Sequence, residues 1–350
     1  DHYLIPWQEP LHHSLNPLLR GYSVGMEHHD AEWAFMSAGG YVTEYFMCGL
    51  PLEPVERDMR AMATQMVTNK QQSAVNTILP LWQCTLNLMG NADNLFVLTG
   101  DAMDEEDFLL EAKKSNNAAS FILVDWSQLI LAYLFENLEL SYKVSQKLWK
   151  SIERLKGMYI YPMFLYFAGL SYIELARRKN SVRRWQYKKL AGRCIKILKN
   201  FVKQGAINCV HQLMLLRAEY AYLTTTQSSR KKHDDIKKKY EEAIASAARS
   251  GFLRDLAIAY ERAAVFHHCC ARNNASLSSI YMTHAYEQYK QWGATAKADQ
   301  LKKEHRSLFF SPSSNRSFGS TNLGVSRFSL KPPGAREVQG NLVSAFANAP

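Results

Sequence analysis

From residue 15 to residue 306 the sequence repeats apolar residues at the three- and four-residue spacing of an amphipathic helix. Short punctuations cut this pattern into segments of about 12 to 22 residues. No segment has the two-residue alternation of a half-buried strand, which excludes sheet architectures at the outset. Asp30 precedes "AEWAFMSAGGYVTEYFMC" as an N-cap, and Gly49 closes it. "EPVERDMRAMATQMVTN" is followed by "QQSAVNTILPLWQCTLNLM", which Pro80 should bend or split and Gly90 should end. Asp104 caps "EEDFLLEAKK", whose first turn carries three acids where the helix dipole favours negative charge. Further helices are expected at 118–136, 139–155, 162–178, 181–203, 206–223, 234–249, 253–272, 275–292 and 294–306. Helix pairs joined by short loops, one after another, predict an all-α fold. The expectation is a tetratricopeptide-like α-solenoid of antiparallel helix pairs in a right-handed superhelix.

Composition changes abruptly after Leu308. "SPSSNRSFGSTNLGVSRFSLKPPGAREVQGN" is rich in Ser, Gly, Pro and Asn, with Glu337 its only acid. Such a stretch buries too little apolar surface to offset its ordering entropy. Two parts are therefore expected: a helical-repeat domain over 1–308 and a disordered linker over 309–350. Within the linker, Ser329 follows Arg327 and Phe328 and weakly resembles a phosphorylation site for kinases that prefer a basic residue two positions earlier. The chain opens on Asp1 without an initiator methionine or a leader, and reads as a piece of something longer.

Two apolar runs invite a membrane reading. Pro162 interrupts "MYIYPMFLYFAGLSYI", and Asp125 and Gln128 interrupt "FILVDWSQLILAYLF". Both fall short of the roughly 20 apolar residues that a span needs, so core helices are expected and no transmembrane segment. The cysteines at 48, 84, 194, 209, 269 and 270 lack the spacing of a disulfide framework and read as reduced, buried thiols of a cytoplasmic protein.

The stretch "AVFHHCCARNN", at 264–274, sets four potential zinc ligands in one row. Successive helical side chains point about 100° apart, so the row cannot converge on one ion. His267 and Cys270 could share a face, but two ligands do not make a structural zinc site. Leu256, Ala259, Tyr260, Ala263, Phe266, His267 and Cys270 follow instead the rhythm of a buried stripe, with His267 and Cys269 at its edges and His268 outside. In "EHHDAE", His28 and Glu32 are four apart, but a turn with Asp30 as cap explains them better. "DAMDEED" lacks the central glycine and alternating oxygens of a calcium loop. Gly39 and Gly40 inside a helix are costly unless a neighbouring helix approaches there. No phosphate loop, dinucleotide fingerprint, nucleophile elbow, HExxH, HRD or DFG occurs, so no catalytic, cofactor or metal residues are assigned.

Charge is the distinctive feature. The chain carries a net charge of +10, yet residues 177–239 hold 18 Lys and Arg against only Glu219, Asp234 and Asp235, so the remainder is net acidic. Arg183, Arg184, Lys188, Lys231, Lys232 and Lys238 are the candidate residues of a basic docking surface for an acidic domain, lipid headgroups or nucleic acid. The competing reading is a pair of solvated helix faces. Nucleic acid is the least favoured partner, because no aromatic strand platform or groove-reading helix accompanies the charge.

"YEEAIASAARSGFLRDLAIAYERAA" and "YMTHAYEQYKQWGATAKADQL" alternate small residues (Ala243, Ala245, Ala259, Ala263, Ala264, Ala285) with large aromatics (Tyr240, Tyr260, Phe266, Tyr286, Tyr289, Trp292). This stretch resembles the closing helical repeats of large signalling proteins that carry a Ser/Thr-kinase-like domain, an AAA-type ATPase domain and often a GAF domain with a sensor histidine kinase. "LNPLLRGYSVGMEHHDAEWAFMSAGGYVTEYFMCGLPLEPVERDM" is similar to the family's early repeats. "LTGDAMDEEDFLLEAKKSNNAASF" with "LAYLF" is similar to its middle, so the resemblance runs from about residue 15 to 304. It departs from the family at the His/Cys row and in the Ser-rich stretch after Arg306. The resemblance implies a non-catalytic interaction and regulatory scaffold, no enzyme in itself, whose partners are flanking ATPase or kinase domains and a further protein. The alternative is an independent basic helical-repeat protein that binds nucleic acid or an anionic membrane surface.

Overall fold

A computed structural model describes residues 5–178, 182–225, 230–269 and 274–309. Among these residues the chain is all-helical, with no strand. The first half comprises α1 (Ile5–Gln8), α2 (Leu15–Glu27), α3 (Ala31–Met47), α4 (Leu52–Thr68), α5 (Gln72–Met89), α6 (Glu105–Lys114), α7 (Ala118–Leu134) and α8 (Leu138–Ser151). The second comprises α9 (Ile160–Arg178), α10 (Val182–Lys203), α11 (Val210–Thr224), α12 (Arg230–Ser250), α13 (Leu253–Cys269), α14 (Ala275–Trp292), α15 (Thr295–Glu304) and α16 (Arg306–Phe309). The expected linker from 310 onward, with Ser329, lies outside the described residues; Phe309 closes α16.

The helix boundaries follow the expected chemistry. Asp30 accepts from the Trp33 amide at 3.3 Å, Asp104 from the amides of Glu106 and Asp107, and Asn117 and Asn137 cap α7 and α8 in the same way. Gly90 and Gly293 end α5 and α14 in the left-handed conformation that glycine adopts without a Cβ penalty. Pro80 does not split its helix: α5 runs unbroken through it. α12 starts at Arg230, four residues before the expected Asp234, because a solvated, charged first turn leaves no apolar spacing to mark its start.

Sequence neighbours pack in pairs: α2 with α3, α4 with α5, α7 with α8, α9 with α10, α11 with α12, α13 with α14. α9 packs against α7, α8, α10 and α11, and 16 of its 19 residues are buried, so the apolar run at 158–173 forms a core helix from Ile160. None of the described helices is long and apolar enough to cross a membrane.

The two ends of the row also meet. α15 packs on α5, the Phe46 and Trp292 rings lie 6.2 Å apart, and Arg254 of α13 reaches the end of α3. At the other rim Asn208 accepts from the Leu11 amide and donates to the carbonyls of Pro6 and Glu9.

α2 and α3 approach closely at a glycine that the sequence did not single out. A Cβ on Gly25 would sit 2.8 Å from the Ala34 backbone nitrogen, so α2 and α3 touch there backbone to backbone. At Gly39 the same atom would meet Thr77 and Ile78 of α5 at 3.4 and 3.7 Å, ordinary contact distances. Ala245 is exposed, so it is not one of the close-packing alanines.

Candidate docking surface

The basic stretch divides into three parts with different fates. Its first cations are structural. Arg177 pairs with Glu219 at 2.6 Å and Glu174 at 3.1 Å, Arg262 joins both carboxylates, and Tyr240 donates to Glu219 at 2.6 Å. Burial pushes the Glu174 carboxyl up, but the guanidiniums of Arg262, Arg177 and Arg178 outweigh it and bring it down to about 2. Arg178 pairs outward with Glu136 at 2.7 Å.

The second part, α12, neutralises much of its own charge. Arg230 faces Asp234, Lys237 faces Glu241, Lys238 faces Glu242 at 3.9 Å and Lys239 pairs with Asp235, each one helical turn apart. This is the pattern of a solvated helix laced with exposed ion pairs. Lys231 and Lys232 are exposed and have no ion pair among the described residues.

The third part, α10, keeps its charge. Its sequence "VRRWQYKKLAGRCIKILKNFVK" contains eight Lys and Arg and no acid. Tyr187, Ala191, Cys194 and Leu198 bury one face against α9. At 100° per residue, Val182, Trp185, Lys189, Arg193, Lys196, Lys199 and Lys203 fall on the opposite arc, and each is exposed. Val182 is 68% and Trp185 63% exposed, and the Lys189 ammonium lies 5.3 Å from the Trp185 ring centroid. Arg193 stacks 3.9 Å over Trp149 and reaches Glu153 at 3.4 Å. Lys189, Lys196, Lys199 and Lys203 have no carboxylate within ion-pair reach among the described residues. Helical arithmetic alone could have separated this stripe from the rest of the run.

The positions chosen from sequence are thus only partly the surface. Arg183 is exposed at the start of α10, off the stripe. Arg184 is half-buried and donates to the Leu223 carbonyl at 3.2 Å, and Lys188 is half-buried at the edge. That Arg184 bond sets the first turn of α10 beside the end of α11. Ser329 lies outside the described residues.

Elsewhere the polar residues serve the fold. His267 is 1% exposed rather than at a stripe edge, its ring stacking on Tyr281 at 5.6 Å, while His268 and Cys269 face solvent. Cys270 lies outside the described residues. Among the described residues no three His, Cys, Asp or Glu side chains gather as a metal would require. His28 ends α2 and Glu32 begins α3, with the Asp30 cap between them. Glu105 accepts from the Leu98 amide at 2.7 Å and from Gln128, tying down the loop after α5. Buried Asn87 donates to the Asn94, Leu95 and Val97 carbonyls of the same loop, a role that sequence reasoning missed.

His211 and Asp255, 2.7 Å apart, form the one His–carboxylate pair that is fully buried among the described residues, and Arg254 closes it off. A cavity of about 10 Å³ between Tyr133, Glu136, Glu174, Glu261 and Arg262 holds no more than a single water.

Comparison with known proteins returns nothing: no protein-family model, no curated protein and no solved structure matches the chain.

Proposed function

We propose that this chain is a non-catalytic interaction and regulatory region that captures an anionic partner on the exposed stripe of α10. In this reading the helix pairs form a tetratricopeptide-like, right-handed superhelix. The region belongs to a multidomain ATPase–kinase signalling protein of the kind its sequence resembles, and flanking domains read out the bound state. The observation that carries the proposal is the stripe from Lys189 to Lys203 on a helix without acids, in contrast to α12, whose charge is largely cancelled. Uncancelled charge of one sign on a rigid helix mainly steers and orients a partner of the opposite sign. Neither the enclosed His211–Asp255 pair nor the water-sized cavity beside Arg262 offers room for a substrate.

The test is binding of the full chain to immobilised poly-L-glutamate across a salt titration. The native protein should bind at low salt and elute as salt screens the stripe. Lys189→Gln, Arg193→Gln, Lys196→Gln, Lys199→Gln and Lys203→Gln together should abolish retention, while Arg183→Gln with Lys188→Gln should weaken it only slightly. Equal retention of the native and stripe-substituted proteins would overturn the assignment. So would ATP hydrolysis by a clean preparation of the native chain, because the proposal assigns it no catalytic role.

A further inference from the structure

We infer that the α10 stripe seats on an anionic phospholipid bilayer, with Trp185 entering the headgroup layer and the cations from Lys189 to Lys203 lying along the phosphates. The inference rests on the docking surface just proposed and names its partner.

Three features favour a bilayer over an acidic protein. The first is shape. From Trp185 to Lys203 the stripe runs straight for about 27 Å along one helix. Val182, Trp185, Lys189, Lys196, Lys199 and Lys203 on this arc are all exposed, as is Arg193, which leans on Trp149 and Glu153. A convex row of cations fits a flat sheet of negative charge, whereas a protein partner would anchor in a pocket.

The second is the absence of any carboxylate on α10. Protein interfaces use charges of both signs to fix register, while a bilayer of uniform charge imposes none. The third is the pairing of apolar and cationic side chains at one end. Trp185 and Val182 are among the most exposed large apolar side chains of the described residues, and they stand one and two turns from Lys189. Indole is favoured at the boundary between headgroups and acyl chains, where its ring is apolar and its N–H stays wet. Each Lys or Arg held near an anionic leaflet is worth roughly fivefold in partitioning, so five give on the order of a thousandfold preference over a neutral bilayer.

The experiment compares sedimentation of the full chain with vesicles of phosphatidylcholine alone and of phosphatidylcholine mixed with phosphatidylserine. The native protein should pellet only with the mixed vesicles and be released by salt. Brominated lipid should quench its tryptophan fluorescence; the quenching should persist in Trp33→Phe and largely disappear in Trp185→Phe. The five-site glutamine variant should lose the mixed-vesicle preference, with far-UV circular dichroism unchanged. Should that variant misfold, the salt release and the Trp185→Phe comparison still decide the matter. Binding to poly-L-glutamate without binding to mixed vesicles would overturn the bilayer and leave the docking surface standing. Binding to neither would overturn both. Equal binding to neutral and mixed vesicles, or quenching that survives Trp185→Phe, would also overturn it.

Discussion

Arg254 donates to the carbonyls of Phe46 and Met47 at 3.0 Å each, across 208 and 207 residues of chain. Its Nε donates to Asp255 at 2.9 Å, whose other oxygen meets His211 at 2.7 Å, and both members of the Arg–Asp pair are at most 1% exposed. The guanidinium thus caps the end of α3, adding to the bond that the Phe46 carbonyl already accepts from the Gly49 amide, and fastens the last third of the chain to the first. Replacing Arg254 by alanine removes the buried Asp255 carboxylate's charge partner, leaving it His211 and Gln212, and takes the guanidinium from the Phe46 and Met47 carbonyls. We expect a loss of about 3–5 kcal/mol in urea unfolding. Arg254→Lys should recover little, because an ammonium cannot reproduce the fork. Exposed Arg249→Ala should change stability by about 0.5 kcal/mol or less.

Two glycines one helix apart should respond with opposite signs. Gly25→Ala forces a methyl group into the Ala34 backbone and should cost about 1–3 kcal/mol. Gly39→Ala finds ordinary contact distances and gains helix propensity, so it should be neutral or stabilising by up to about 1 kcal/mol. Thermal unfolding of both variants checks the pair.

Stability should fall as pH drops below neutral, in two stages. Burial first, then the charges of His233 and Lys237, hold His267 down at about 4. Burial, with His13 and His211, does the same for His12. Folded values below the unfolded one of about 6.5 mean that the unfolded state binds more protons between about pH 6.5 and 4, so acid favours unfolding there. Asp58 opposes this: burial, over the Tyr41 hydrogen bond and Arg57, raises it to about 6, so its contribution is complete at low pH and lost as pH rises through 6. Below about pH 4 the second stage begins. Glu174 and Asp255, which Arg254 and His211 bring down to about 2 against the effect of burial, lose their stabilising contribution as pH falls through that value. Melting temperatures between pH 7 and 4 should decline less steeply in His267→Phe and more steeply in Asp58→Asn.

Thiol chemistry should separate Cys269 from the rest. Cys48, Cys84, Cys194 and Cys209 are buried, and burial pushes the Cys194 and Cys209 thiols up to about 12. Alkylation followed by mass mapping should label Cys269 in the native protein and those four only on unfolding. The same preparation should contain well under one equivalent of zinc, and its melting temperature should not respond to a chelator.

Much of this molecule was legible in the sequence because helices are local objects. Asp30, Asp104 and Gly90 stand within a few residues of the amides and carbonyls they satisfy, so their roles could be read one segment at a time. The same holds for the α10 stripe, whose exposed arc follows from a fixed turn of 100° per residue, although the density of the run drew attention to Arg184 and Lys188 instead. Pro80 was misleading for a related reason. A proline withdraws one hydrogen bond locally, but burial of α5 on both sides of it holds the helix together.

What the sequence by itself determined is the run of helices, their caps and the net charge of each. Only the tertiary structure decided which charges are naked, since cancellation depends on carboxylates supplied by other helices. Glu219 of α11 and Glu174 of α9 claim Arg177 and Arg262, whereas among the described residues no carboxylate reaches Lys196 or Lys203. It likewise decided that α3 meets α13 and α5 meets α15, because contacts across two hundred residues arise from how successive helix pairs rotate against one another, a quantity that no single segment encodes.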